Sequence, residues 1–386
     1  MATHFVVLGG GLVGGFIART LAADASCEVT LCDRDQAVLE RSAARAPLSY
    51  NVANLADAGI LRKVIEDADV VLGALPGRLG YACLETVLSA GKSCVDISFF
   101  PEDALKLDPL ARKRGVLAVV DCGVMPGLGG MLASDLARRL DRPESLRILV
   151  GGLPVERLWP FEYRAPFSPS DVIEEYTRRA RLKLGGQVVE RPALSEVELI
   201  DFPGVGTLEA FNTDGLRTLL GTLPFPTMIE KTLRYPGHAE KIRLLRDCGF
   251  FSDRHVYVKG QQVRPLDLSS ALLFPRWRLE AGMQEFTVMR VEAEGLQDGV
   301  PVHLQYDLLD RTDPATGEFS MARTTGWPAV LAARLLAGGR LGRLAPGVVP
   351  PETLALDTDA MRQILDGLGE AGIDLRFSSE VLPEKP

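Results

Sequence analysis

Residues Gly9-Gly10-Gly11-Leu12-Val13-Gly14 constrain this chain most, because they stand between two periodic elements. Phe5 to Leu8 before them is a continuous apolar run, the pattern of a parallel strand buried on both faces. Gly15 to Leu21 after them carries helical periodicity. Between a strand and a helix, G-x-G-x-x-G has a mechanical meaning. Gly9 permits the tight turn, Gly11 lets the backbone approach a pyrophosphate, and Gly14 lets the helix pack on the strand. With Leu12 and Val13 opening the helix, its unpaired N–H groups and positive dipole face the phosphates. A second strand, Glu28 to Cys32, ends at Asp33, 19 positions after Gly14. A carboxylate there accepts from a ribose 2′-hydroxyl and repels a 2′-phosphate, which points to NAD over NADP. Arg34 stays open: it can stack on adenine or bind that phosphate. Ala74-Leu75-Pro76 should border the adenosine and ribose or the nicotinamide entrance, and a rigid proline loop explains them equally well.

Strand-like segments recur around Leu48–Val52, Asp69–Ala74, Ser93–Ile97 and Val116–Val120, with a helix over Ala53–Ile65 between the first two. Strand and helix alternate, which predicts an α/β Rossmann domain with a doubly wound parallel sheet over residues 1–125. The rhythm then changes. Leu146–Val150 is a strand, Ser168-Pro169-Ser170-Asp171 starts a helix expected to reach Leu184, and Asp298-Gly299 joins strands 286–294 and 300–309 as a hairpin. Residues 126–325 are therefore expected to form a mixed, mainly antiparallel α+β domain for substrate binding and dimerisation. Helices over Pro328–Ala337 and Thr358–Ala371, the second with Met361, Ile364, Leu365 and Leu368 on one face, make residues 326–386 a segment packing back on the first domain.

Composition excludes several classes. With 43 basic and 51 acidic side chains the net charge is −8, and no clustered basic face offers itself to nucleic acid. Six cysteines without C-x-x-C spacing suit a reduced, cytoplasmic compartment, and four histidines without H-E-x-x-H or a Cys/His cluster make a metal site improbable. No signal peptide or membrane partner is expected. The N-terminus lacks a cationic flank, and the apolar stretch Val116–Ala133 is broken by Asp121 and Pro126.

Long-range motifs add a resemblance. Val119–Gly127, Leu194–Glu198, Leu208–Thr213, Arg234–Lys241 and Ala322–Thr325, together with the N-terminal glycines, resemble the saccharopine dehydrogenase-like family, and within it the bacterial L-lysine 6-dehydrogenase type. The resemblance implies an NAD(P)-dependent enzyme of amino-acid metabolism with a Rossmann domain, a substrate domain and a homodimeric or larger assembly. The loops Thr213–Arg217 and Phe99–Pro101 depart from the family pattern.

The chemistry names candidates. Hydride abstraction from a primary amine requires the neutral amine, whereas a free lysine amine has a pKa of about 10.4. A base or a desolvated pocket is needed, and an arginine suits the remote carboxylate. Arg234-Tyr235-Pro236-Gly237-His238 brings such types together, with His238 as base or as a core histidine. Asp121, ending the sixth strand, orients the amine or a water, or else caps the Gly123–Gly127 turn. Thr213, Glu162 and Tyr163 are candidate substrate neighbours, and Arg323 is a carboxylate anchor or an interface residue. Three functions follow: NAD-dependent oxidation of the lysine ε-amine, oxidation of a secondary amine of the saccharopine type, or nucleotide binding without turnover.

Overall fold

The computed structural model describes residues 2–166 and 168–383. The chain divides into two compact units. The first comprises residues up to Asp135 and Met321–Asp374, the second Leu136–Ser320 and the chain from Leu375 onward.

The first unit is built on strands β1 (Thr3–Leu8), β2 (Cys27–Asp33), β3 (Ser49–Val52), β4 (Val70–Gly73), β5 (Ser93–Asp96), β6 (Leu117–Val119) and β17 (Gly347–Val349). All pair in parallel, in the order β17-β6-β5-β4-β1-β2-β3. Phe5, Val6, Val7 and Leu8 are at most 1% exposed, and full burial stabilises each by about 1.5–3 kcal/mol. Chain order reverses between β1 and β4. That reversal opens a crevice at their carboxyl ends, where Gly9 and Ala74 emerge.

The C-terminal helices and β17 belong to this unit. Met361, Ile364 and Leu368 are buried as the periodicity predicts, while Leu365 is only half-buried. The helix expected from Pro328 begins at Ser320 and carries Pro328 inside it. An interior proline loses one backbone bond. Packing offsets the loss: Gly326 leaves room for Phe16, whose ring meets Trp327 edge-on at 6.3 Å. The helix expected over Ala53–Ile65 spans only Ala58–Val64, because the Asp57 carboxylate accepts from the N–H groups of Gly59 and Ile60 and sets the start there.

The second unit contains β7 (Arg142–Pro154), β8 (Ala180–Leu184), β9 (Gln187–Arg191), β10 (Glu198–Phe202), β11 (Gly206–Asn212), β12 (Thr227–Arg234), β13 (Val256–Val258), β14 (Gln261–Val263), β15 (Glu285–Gln297), β16 (Val300–Arg311) and β18 (Leu375–Val381). The main sheet runs β10-β11-β12-β7-β15-β16-β18, with β8 and β9 attached to β12. Only β12 and β7 pair in parallel, so the sheet is mixed and mainly antiparallel. The predicted hairpin is present, and Val302, Leu304, Tyr306 and Leu308 face the core. One expectation fails. The helix from Pro169 stops at Thr177, and residues 180–184 form β8. Gly185 and Gly186, both at positive φ, turn β8 into β9, and that pairing outweighs the helical pattern.

Among the described residues no helix is long and apolar enough to cross a membrane, and no His/Cys/Asp/Glu cluster is arranged to hold a metal. The six cysteines are free thiols.

Candidate functional site

The glycine turn forms a cradle. Gly9 has φ +106°, and a Cβ there would lie 2.4 Å from the Ala74 carbonyl oxygen. A Cβ on Gly14 would lie 2.0 Å from the Gly9 oxygen, whereas one on Gly11 would meet nothing within 4 Å. Gly9 and Gly14 are thus fixed by close packing, and Gly11 faces open space. The helix Leu12–Ala22 starts at Gly11 with no side-chain cap, leaving its first N–H groups to a ligand. Leu12 is exposed and Val13 half-buried at this mouth. Asp33 is braced on the cradle. Its Oδ2 accepts from the Gly10 N–H at 2.7 Å and its Oδ1 from the Asp35 N–H at 2.9 Å. Arg34 is exposed beside it. These residues fit a dinucleotide: space for a pyrophosphate, free donors and an acceptor for a ribose.

On the other side of the crevice, Ala74 and Pro76 are half-buried and Leu75 is buried. The Leu75 N–H donates to Ser98 Oγ at 3.3 Å, and Asp96 holds Ser98 through its backbone N–H at 2.8 Å. Asp96, which sequence reading passed over, therefore fixes this loop from below. Its signal was available as a lone acid ending an apolar strand. Asp121 follows β6 at the same sheet edge, 2% exposed and in the left-handed region at φ 51°. The Cys122 N–H donates to the Asp96 carbonyl at 2.9 Å, which ties the two segments together. Arg323 lies in the helix Ser320–Ala337. Its Nη2 donates to the Ala371 carbonyl at 3.0 Å.

The second unit brings Arg234, Tyr235, His238, Glu162 and Thr213 into or beside one polar interior. Arg234 is 2% exposed. Its Nε donates to Tyr176 Oη at 3.1 Å, Nη1 to the Leu233 carbonyl at 2.8 Å and Nη2 to Glu175 Oε2 at 3.1 Å, and its guanidinium lies 4.5 Å from the Tyr163 ring centre. His238 is 1% exposed. Its Nδ1 lies 3.0 Å from the Phe161 carbonyl, so that nitrogen carries the proton, and Nε2 accepts from the Tyr176 hydroxyl at 2.9 Å. Burial, and then the Arg234 charge, push its pKa down to about 3, so the ring is neutral at working pH. As placed, both ring nitrogens are engaged and Arg234 already has a carboxylate partner. This geometry does not leave the pair free as base and substrate anchor, because the interior supplies the partners that a substrate would.

The neighbouring candidates are also engaged. Tyr235 Oη donates to the Pro154 carbonyl at 2.9 Å. Glu162 accepts from Arg157 at 2.6 Å with Lys241 at 3.7 Å. Tyr163 lines a surface cavity with Trp159, Arg164 and Arg276. Thr213 Oγ1 lies 2.8 Å from both Glu230 Oε2 and Thr232 Oγ1. Thr232 donates to Glu175 Oε1 at 2.5 Å, and the Gly215 N–H to Glu230 Oε2 at 3.0 Å. Burial raises the Glu230 pKa to about 8. Glu175, Tyr176 and Glu230 went unnoticed in the sequence. The alternating face Met228, Glu230, Thr232 and Arg234 was the signal, since three polar residues lie on one side of a strand between two others.

Comparison with known proteins agrees with this architecture. The family model described as the saccharopine dehydrogenase C-terminal domain matches residues 123–373, and the saccharopine dehydrogenase NADP binding domain matches residues 5–119. The mitochondrial alpha-aminoadipic semialdehyde synthase of Mus musculus is 27% identical over 254 residues, which cover 61% of this chain and 27% of that protein. The saccharopine dehydrogenase [NADP(+), L-glutamate-forming] of Saccharomyces cerevisiae is 25% identical over 272 residues, 66% of this chain and 59% of that one. The chain thus spans about a quarter to three fifths of these relatives. The fold matches apo saccharopine dehydrogenase (L-Glu forming) from Saccharomyces cerevisiae with a TM-score of 0.81 at 19% identity, covering 98% of this chain and 100% of that one. It also matches a homospermidine synthase from Legionella pneumophila, solved with NAD, at 0.69 and 13% identity, covering 98% and 92%.

Proposed function

The chain belongs to the saccharopine dehydrogenase family, and on that premise we propose that it is a pyridine-nucleotide-dependent oxidoreductase acting on a C–N bond of a lysine-derived amino acid. The observation that carries this reading is the open cradle at Gly11 beside the braced Asp33 carboxylate. Gly9, Gly11, Leu12, Val13 and Gly14 hold the pyrophosphate through backbone donors, Asp33 accepts from the ribose, and Ala74–Pro76 border the same ligand. Asp33 favours NAD. A bound nicotinamide supplies the hydride acceptor.

The substrate reading is oxidation of the ε-amine of L-lysine, giving an imine that hydrolyses to the 6-semialdehyde and cyclises. Asp121 is the group we assign to orient the amine, since it lies on the ligand-binding edge of the parallel sheet. Arg234 and His238 act as positioning residues, holding the turn Tyr235–Gly237 through Tyr176. A second reading, oxidation of the secondary amine saccharopine, is favoured by the name of the yeast relative. One assay separates them. Purified protein is mixed with NAD or NADP and with lysine or saccharopine, and the absorbance of reduced cofactor is followed. Turnover of lysine with NAD supports the first reading, and turnover of saccharopine alone replaces it by the second. Cofactor binding without turnover of either, or of related amines, would leave a nucleotide-binding protein and sink both.

A further inference from the structure

We infer that Glu230 is held as a neutral acid and that Thr213 and Thr232 connect it to Glu175 as a proton-transfer path through the second unit. The argument is a count of hydrogens. Three oxygen–oxygen contacts run in series: Glu230 to Thr213 at 2.8–3.1 Å, Thr213 to Thr232 at 2.8 Å, and Thr232 to Glu175 at 2.5 Å. Each needs one hydrogen to be attractive. The two hydroxyls supply two. With both carboxyl groups ionised, each threonine would donate to its own glutamate, and the threonine oxygens would face each other with no hydrogen between them. The third hydrogen must come from a carboxyl group.

Its position follows from the surroundings. Glu175 Oε2 takes a charge-assisted bond from Arg234, which favours the carboxylate there. Glu230 is 2% exposed, and among the described residues no cation is bonded to it. The charged groups facing it are Glu175 on the helix Pro169–Thr177 and Asp214 in the loop after β11, each paired with its own arginine, Arg234 and Arg181. Across the β12–β7 pairing Glu230 meets apolar Ile148. Glu230 Oε2 accepts from the Gly215 N–H at 3.0 Å and Oε1, 3.1 Å from Thr213 Oγ1, donates to it, so the chain of donors runs from Glu230 to Glu175.

Reversing that chain moves the proton. The O–H bonds of Glu230, Thr213 and Thr232 break as new O–H bonds form on Thr213, Thr232 and Glu175. The net result is one proton passed from Glu230 to Glu175, with no electron transferred. The Glu175 side chain is 16% exposed, so the path leads from a sealed position to one that water can reach. This inference does not rest on the cofactor or the substrate.

The test is infrared spectroscopy of the full chain carrying carboxyl-labelled glutamate. At about pH 6 ordinary glutamates are ionised. The wild type should show one protonated-carboxyl band that Glu230→Gln removes and that fades as the pH rises through about 8. On transfer to heavy water the band should shift, and at least tenfold more slowly in Thr232→Val and in Thr213→Val, which cut different links. Absence of a protonated band from the wild type, or its persistence in Glu230→Gln, overturns the neutral acid. Equal exchange rates in the wild type and the valine variants overturn the path. Should the glutamine variant not fold, titration of the wild-type band decides the first point by itself.

Discussion

Arg234 donates to Tyr176, to the Leu233 carbonyl and to Glu175 while almost wholly buried. Removing one partner of a buried ion pair typically costs about 3–5 kcal/mol, because the remaining charge stays desolvated. Arg234→Ala should lower stability by about that much in urea denaturation, and adding Glu175→Gln should recover part of it. A loss below about 0.5 kcal/mol would show that the ion pair is loose. Asp33 makes the residue-scale prediction for the cofactor. Asp33→Ser should remove repulsion of a 2′-phosphate and move the binding preference from NAD toward NADP, read as the ratio of the two dissociation constants. A wild type that binds both equally would show that Arg34 already balances the carboxylate. The turn Gly9–Gly14 was legible in the sequence because a strand, a glycine-rich turn and a helix follow one another there, and Asp33 because it ends the next strand. Glu175 and Glu230 were not. They stand 55 positions apart, and only folding brings them to the same two threonines.

Elements show the same division. The helix His238–Asp247 begins at Gly237 with no cap from its own segment. Its orphan donors go to β11 instead: Glu209 accepts from the Gly237 N–H at 2.8 Å and the Ala239 N–H at 2.5 Å. A charge-assisted cap from a distant strand joins two motifs that sequence reading took separately. Glu209→Ala should cost about 1–3 kcal/mol, since one buried and one half-buried donor lose their acceptor. Hydrogen exchange should locate the loss at residues 237–241. Uniform loosening of the whole unit would argue against a capping role. Segment 168–184 shows the limit of periodicity. Its proline-led start was readable, but its end depended on whether Gly185-Gly186 would find paired strands on either side.

For the whole molecule, the second unit exposes several large apolar side chains. Val256, Tyr257 and Val258 on the β13–β14 ribbon and Leu268 and Leu272 on the helix Pro265–Trp277 are 47–77% exposed. Exposed apolar side chains of this size are candidates for association, and we propose a homodimer that covers them. Analytical ultracentrifugation should find a dimer, and Tyr257→Asp should shift it toward monomer. A wild-type monomer at every concentration would end the proposal. The sequence alone determined the parallel nucleotide-binding sheet, the change of architecture after it and the hairpin, because alternating and helical periodicities report directly which faces meet the core. Only the tertiary structure decided the state of the polar residues. It made His238 a neutral core ring, gave Arg234 an internal carboxylate and sealed Glu230 from water. Protonation and accessibility depend on neighbours that distant segments supply, and the local sequence carries no record of them.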